Sequence, residues 1–172
     1  LLHSSRQEKV SELFVIAARR SLIFGIQEAL AGHKFQLHIT DTNHFGAQYA
    51  LLVNYPEVRT RIVALAVLAQ TRLDVGILSQ GRLIHYRYSP FSSAEDAIEF
   101  LRSQLQLYPS DELFFCGTSS PDNLVTESEE RLGLPVTMLN PFKRLSTGSS
   151  LDDFAGQEHR FASAVGCALR KQ

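Results

Sequence analysis

Ile62-Val63-Ala64-Leu65-Ala66-Val67-Leu68-Ala69 is an unbroken apolar run of eight residues. A strand with one wet face alternates apolar and polar positions, so a run with no polar position reads as a strand covered on both faces. Such a strand sits at the centre of a sheet with helices above and below. The run is also far short of the roughly 20 residues that a bilayer-spanning helix needs, and no charged-then-apolar leader opens the chain. A layered α/β domain built around residues 62–69 is the architecture this permits.

Turn signals divide the chain into residues 1–56 and residues 57–172. In the first part, Leu13-Phe14-Val15-Ile16-Ala17 reads as a short buried strand. Ser21 then caps a helix with Leu22, Ile23, Ile26, Ala29 and Leu30 inward and Gly32 at its end. Phe35 to Thr40 reads as a half-buried strand, and a helix from Asn43 carries Phe45, Tyr49 and Leu52 at i, i+4, i+7. In the second part, Leu73–Leu78 and Leu83–Tyr88 are strands joined through Ser79-Gln80-Gly81 as a hairpin. Ser92-Ser93-Ala94-Glu95 has the spacing of a capping box and opens a helix with Ala94, Ala97, Ile98, Leu101 and Leu105 inward. A strand at Leu113–Cys116 follows, then a helix from Pro121 with Leu124, Val125 and Leu132 inward, stopping at Gly133. Val136–Leu139 is the last strand, and a helix from Gln157 buries Phe161, Ala164, Val165, Ala168 and Leu169.

The two parts read β-α-β-α and βββαβαβα. The second order is that of a complete ribonuclease H-like unit, which actin-like and sugar-kinase-like proteins carry in duplicate. The first matches only the closing half of such a unit. Since the chain also opens Leu1-Leu2-His3 without Met, the expectation is a C-terminal piece of a longer two-lobed protein. Its sheet is mixed and covered by helices.

Composition narrows the function. With 17 Lys+Arg against 18 Asp+Glu, the net charge is −1, and no basic stripe is present, so binding that depends on attracting nucleic-acid phosphates is excluded. Cys116 and Cys167 lie in apolar stretches without metal-ligand spacing, which predicts buried thiols and a reducing, cytoplasmic setting. Six histidines (His3, His33, His38, His44, His85, His159) show no zinc spacing, and His38 and His85 read as exposed-face strand residues. In Asp41-x-Asn43-His44, Asp41 or Asn43 reads as a helix cap rather than part of a catalytic cluster. Ser119-Ser120 lacks a nucleophile elbow. Glu127, Glu129, Glu130 and Arg131 read as a solvated helix face, and Lys143 to Ser150 as a connector. Arg19-Arg20 opposes the dipole of the helix it precedes and hints at a partner or an anion.

Several segments resemble the type IV pilus assembly protein PilM family, which is actin-like and cytoplasmic. Arg160-Phe161-Ala162-Ser163-Ala164-Val165-Gly166-Cys167-Ala168-Leu169-Arg170 is similar to that family's closing helix. Arg131-Leu132-Gly133-Leu134-Pro135-Val136 with Leu139-Asn140-Pro141-Phe142-Lys143-Arg144 is similar to its Leu-Gly-Leu-Pro-Val and Asn-Pro-Phe segments. Asp41-Thr42-Asn43-His44-Phe45 with Ala47 resembles its interlobe crossing, and Gly81-Arg82-Leu83 with Arg87 resembles the turn and strand after its phosphate loop. These segments agree in order over residues 13–170. The resemblance implies a partner, the cytoplasmic tail of an inner-membrane pilus assembly protein, and a place at the inner membrane reached through that partner. It also implies that the groove for this tail lies in the first lobe, most of it upstream of Leu1.

Departures from the family bear on its ATP and Mg²⁺ chemistry. Where actin-like ATPases carry an Asp-x-Gly phosphate loop, this chain has Val67-Leu68-Ala69, and Asp74 and Gly76 lie one strand later. The glycine-rich adenosine turn becomes Cys116-Gly117-Thr118-Ser119-Ser120-Pro121, in which Ser120 reads as a helix cap. Only 24 residues separate Tyr88 from Leu113, room for one helix and no lid subdomain. The positions left as candidate nucleotide contacts are Ala69, Gln70, Asp74, Gly117 and Thr118. The expectation is a scaffold with no catalytic residue, no metal site and no resident cofactor. The rival readings are an ATPase or phosphotransferase of the same superfold, and a type II secretion adaptor resembling GspL. An unpaired strand edge at Leu13–Ala17 would promote self-association.

Overall fold

A computed structural model describes residues 15–37, 40–118, 123–145 and 154–170. Residues 1–40 and 41–172 form two units.

In the first unit, α1 spans Arg20–Gly32. Arg19 is its N-cap and makes no side-chain cap, so Ser21 lies inside the helix rather than before it. None of its residues is buried, against the expected inward face. The strand expected at Leu13–Ala17 is not found: Val15, Ile16 and Ala17 lie in no ladder, Val15 is 80% exposed, and Leu13 and Phe14 fall outside the described residues. A strand exists only where a second strand satisfies its N–H and C=O groups, and among the described residues these have none. Phe35–Leu37 and Thr40 likewise lie in no strand, while His38 and Ile39 are not described.

The second unit is organised by β1 (Ile62–Leu68), the apolar run. β2 (Arg72–Ser79) and β3 (Arg82–Pro90) follow antiparallel, and β4 (Glu112–Gly117) and β5 (Val136–Met138) join in parallel, giving the order β3-β2-β1-β4-β5. Gln80 and Gly81 both have positive φ, 53° and 76°, as the type I′ turn of a two-residue hairpin requires. The mixed sheet with three antiparallel strands leading into two parallel crossovers is the ribonuclease H-like order.

Alternate residues of β1 enter two cores. Val63, Leu65 and Val67 face α2 (Asn43–Asn54) and α5 (Ala162–Leu169). Ala64, Ala66 and Leu68 face α3 (Ala94–Leu107) and α4 (Leu124–Leu132). The helix read into residues 1–56 as α2 thus belongs to the compact unit that begins at Asp41.

The buried faces of α2 and α5 differ from expectation. α2 buries His44, Gly46, Ala47, Ala50, Leu51 and Asn54, leaving Phe45, Tyr49 and Leu52 half-buried. α5 buries Ala162 and Gly166, while Ala164 and Ala168 are exposed. The reason is close approach: a Cβ on Gly166 would stand 1.7 Å from the Gly46 carbonyl oxygen, and one on Gly46 would stand 2.5 Å from that of Ser163. Two backbones this close leave room only for small side chains between them. Cys167, expected to be buried, is exposed, whereas Cys116 is buried, and that burial raises its thiol pKa.

Capping also shifts by a residue. Ser93 caps α3 and forms the box with Asp96 rather than Glu95, and Thr42 Oγ1 caps α2 by accepting from the Phe45 N–H at 3.3 Å. Gly133 ends α4 at φ 68°, as expected. Arg131 lies on the solvated face and is paired there: its guanidinium reaches both carboxylate oxygens of Glu95 and also Glu99, tying α4 to α3. His85 stacks on Tyr108 with ring centroids 4.3 Å apart and bonds Gln104 at 2.9 Å, so it is a packed residue rather than an exposed one.

Candidate functional site

β1 and β4 end side by side, with Leu68 opposite Gly117. Strand ends of this kind are where open α/β sheets place their ligands. A cavity of about 290 Å³ opens there, and Ala69, Asp74, Gly117 and Thr118 line it together with Asp41 and Arg160. Four of the five candidate positions therefore meet in one place. Gln70, on the exposed hairpin tip, is outside the lining.

Each candidate has a local cause. The Ala69 N–H donates to the Arg72 carbonyl at 2.8 Å, closing the β1–β2 turn. Asp74 stands opposite Val67 in the ladder, and this register turns it toward the α2 side of the sheet. Its Oδ1 accepts from Arg72 Nε at 2.7 Å and from the Tyr86 hydroxyl at 3.1 Å. The Arg72 guanidinium also lies 4.2 Å from the Tyr88 ring centroid. Burial, then the Asp74 charge, raises the Tyr86 hydroxyl above its ordinary pKa and keeps it a donor. Gly117 has φ 121°, and a Cβ there would lie 2.0 Å from the Leu68 carbonyl oxygen, which accepts from the Thr118 N–H at 3.0 Å. Strand-end packing alone is enough to require that glycine.

Asp41 is held in the same way. Its Oδ2 accepts from Arg170 and its Oδ1 from the Thr42 N–H at 2.8 Å. Asn43 is exposed and its carbonyl accepts from the Ser163 hydroxyl at 2.8 Å, while His44 turns inward, so the side chains of Asp41, Asn43 and His44 do not converge on one point. Both cavity carboxylates are thus neutralised by an arginine of this chain. Arg160, the cation on the lining, bonds Gln157 Oε1 at 2.9 Å. Among the described residues no group of three His, Cys, Asp or Glu gathers to hold a metal ion.

A second cavity of about 450 Å³ adjoins the first through Thr118 and Arg160, and Val125, Met138 and His159 help to line it. Burial, with the Arg160 charge, lowers the His159 pKa, so it stands there as neutral imidazole near neutral pH. Ser119, Ser120 and Pro121, and with them the expected Ser120 cap, lie outside the described residues.

Two features were not legible as sites. His44 is 1% exposed and neither ring nitrogen has a hydrogen-bond partner. It packs beside Tyr86, centroids 5.1 Å apart, in space that only a glycine at position 76 leaves open. The other is Asn54, also 1% exposed. Its amide donates to the Ala50 carbonyl at 2.9 Å and the Pro141 carbonyl at 2.7 Å, and its Oδ1 accepts from the Arg144 N–H at 2.9 Å. The Asn140 N–H donates to the Tyr55 hydroxyl at 3.1 Å. The Asn-Pro-Phe segment is therefore a turn clamped onto the end of α2.

Sheet order, two-sided helix cover and a cleft at the ends of β1 and β4 define an actin-like, ribonuclease H-like α/β domain. Comparison with solved structures gives the particular likeness. A chain of the PilM-PilN type IV pilus biogenesis complex matches with TM-score 0.76 and 18% identity over 89% of this chain and 58% of that one. The ethanolamine utilization protein EutJ from Carboxydothermus hydrogenoformans matches with TM-score 0.59 and 12% identity over 90% of this chain and 62% of that one. The TM-scores show a shared fold, at these identities a likeness of fold alone, and the chain spans under two thirds of either of these chains' length. In sequence, no family model and no curated protein matches. Among the described residues, no helix is long and apolar enough to cross a membrane.

Proposed function

We propose that the chain is a non-catalytic, PilM-like scaffold that works through protein contacts, linking an inner-membrane pilus assembly platform to its motor. The observation that carries this is the state of the cleft. Asp41 and Asp74, the cavity's two carboxylates, are each engaged by an arginine from the same fold. The phosphate-loop position holds Val67-Leu68-Ala69, and Gly117 is filled against Leu68. Magnesium binding needs free carboxylate or water-bridged oxygens, and a phosphate cradle needs converging free N–H groups. The residues present do not fit a magnesium nucleotide. The likeness in fold to the PilM chain and the motif order over residues 13–170 support the pilus reading, with a secretion adaptor of the same fold as the alternative.

The partner is the cytoplasmic tail of an inner-membrane pilus assembly protein of the PilN kind, which places the chain in the cytoplasm at the membrane face. The resemblance puts most of the tail groove in a first lobe, so the expected result is retention of the protein, assayed with a first lobe that supplies the groove, on an immobilised tail of that kind in nucleotide-free buffer. Retention that needs Mg-ATP, or none at all, overturns the proposal.

A further inference from the structure

β3 ends the sheet, so one side of its backbone has no neighbouring strand among the described residues. In an antiparallel ladder every second residue turns its N–H and C=O away from the partner strand. The outer row is interrupted at one point, where the register slips between Ile77 and Leu78 and leaves Ile84 outside the ladder. Pro90 closes the other end, since it has no N–H to offer. Between them His85–Ser89 is a five-residue docking window, about the length of an ordinary strand.

Asp74, opposite Tyr88, is paired with Arg72, and the charge carried by β3 itself has one sign. From Val75 to Ala94 the chain carries Arg82 and Arg87 and no Asp or Glu. Both arginines are exposed, and among the described residues neither makes an ion pair. Arg59, also exposed, lies beside the β2–β3 turn, its Cγ 3.5 Å from where a Gly81 Cβ would stand. Tyr88 is 60% exposed and Ile84 48%, so apolar contact is on offer as well.

We infer that β3 receives an extended acidic segment of a partner protein, which adds a strand across His85–Ser89 with its carboxylates on Arg82 and Arg87. Main-chain bonds supply the affinity of such strand addition, and side-chain charge supplies the choice of partner. A second copy of this chain is disfavoured by the same charge. β3 set against β3 would place two arginines from each copy along one seam with no carboxylate between them. The net charge of −1 gives an acidic peptide no general attraction to the rest of the surface. The surface adjoins the cleft through Tyr86, whose hydroxyl bonds Asp74, and it does not depend on the scaffold proposal.

The test uses a fluorescein-labelled peptide of alternating Glu and Val and its counterpart with Lys in place of Glu. The acidic peptide is expected to bind at least about tenfold more tightly than the basic one, and to lose that margin in high salt. R82E/R87E, or R87E alone if the double variant melts at a different temperature, is expected to abolish the preference. Amide exchange within residues 85–89 is expected to slow on binding. Equal binding of both peptides, no binding at millimolar peptide, an unchanged preference in the variants, or protection elsewhere overturns the inference.

Discussion

Gly166→Ala is expected to cost more than about 3 kcal/mol, a large part of the ~5–15 kcal/mol that holds a domain folded. The added methyl would stand 1.7 Å from the Gly46 carbonyl oxygen and 2.6 Å from its carbon. Those are backbone atoms, and no rotamer change relieves the overlap. α2 and α5 must separate, which opens the core of Ala47, Leu51 and Ala162. Gly133→Ala is the control: at φ 68° with nothing within 4 Å, it meets only the left-handed backbone penalty of about 1 kcal/mol. Urea denaturation of the two variants measures the difference. A Gly166→Ala cost no larger than that of Gly133→Ala contradicts the close crossing.

Stability is expected to fall in mild acid through His44. Burial, only partly offset by the Asp74 charge, brings its pKa from 6.5 down to about 4. Between pH 6.5 and about 4 the unfolded chain binds a proton that the native chain refuses, so acid favours unfolding. The contribution is complete above pH 6.5 and declines by about 1.4 kcal/mol per pH unit below it, about 3 kcal/mol across the window. His44→Leu removes the titrating group and two buried nitrogens without partners, so it is expected to match or exceed the parent's stability at neutral pH. The difference between parent and variant in urea midpoint from pH 7.5 to 4.5 isolates His44 from the other histidines. Equal pH slopes in the two proteins contradict the assignment.

The parts of the fold that could be read from the residues are those in which large side chains do the packing. Ile62–Ala69 announces a covered central strand because no polar residue interrupts it, and Gln80-Gly81 announces a hairpin because both positions tolerate positive φ. α3 shows its face through Ala97, Ile98 and Leu101. The contact between α2 and α5 escapes the apolar periodicity because it is made by Gly46, Ala47, Ala50, Ala162 and Gly166, whose value lies in what they lack. Phe45, Tyr49 and Leu52 gave the stronger periodic signal on the wrong face. An apolar run at Leu13–Ala17 and apolar alternation at Phe35–Thr40 read as strands, but neither pattern supplies the second strand a ladder needs, and their described residues lie in no ladder.

The site divides in the same way. That the β1–β2 turn has no Asp-x-Gly is legible as Val67-Leu68-Ala69. Whether Asp74 reaches the cleft depends on its pairing with Val67, a register that the local sequence does not contain. Gly117 looked like the remnant of a glycine-rich turn, while its φ of 121° and its approach to Leu68 give it a structural cause. The arginines that engage the carboxylates come from two residues away for Asp74 and from the far end of the chain for Asp41.

Calorimetric titration with Mg-ATP and Mg-ADP, paired with a thermal shift, tests the scaffold reading most directly, because a ligand that binds only the folded state must stabilise it. With Asp41 and Asp74 held by Arg170 and Arg72, no saturable binding is expected up to about 1 mM nucleotide. Saturable binding at submillimolar nucleotide contradicts it, and would make the chain a working nucleotide-binding member of the actin-like fold.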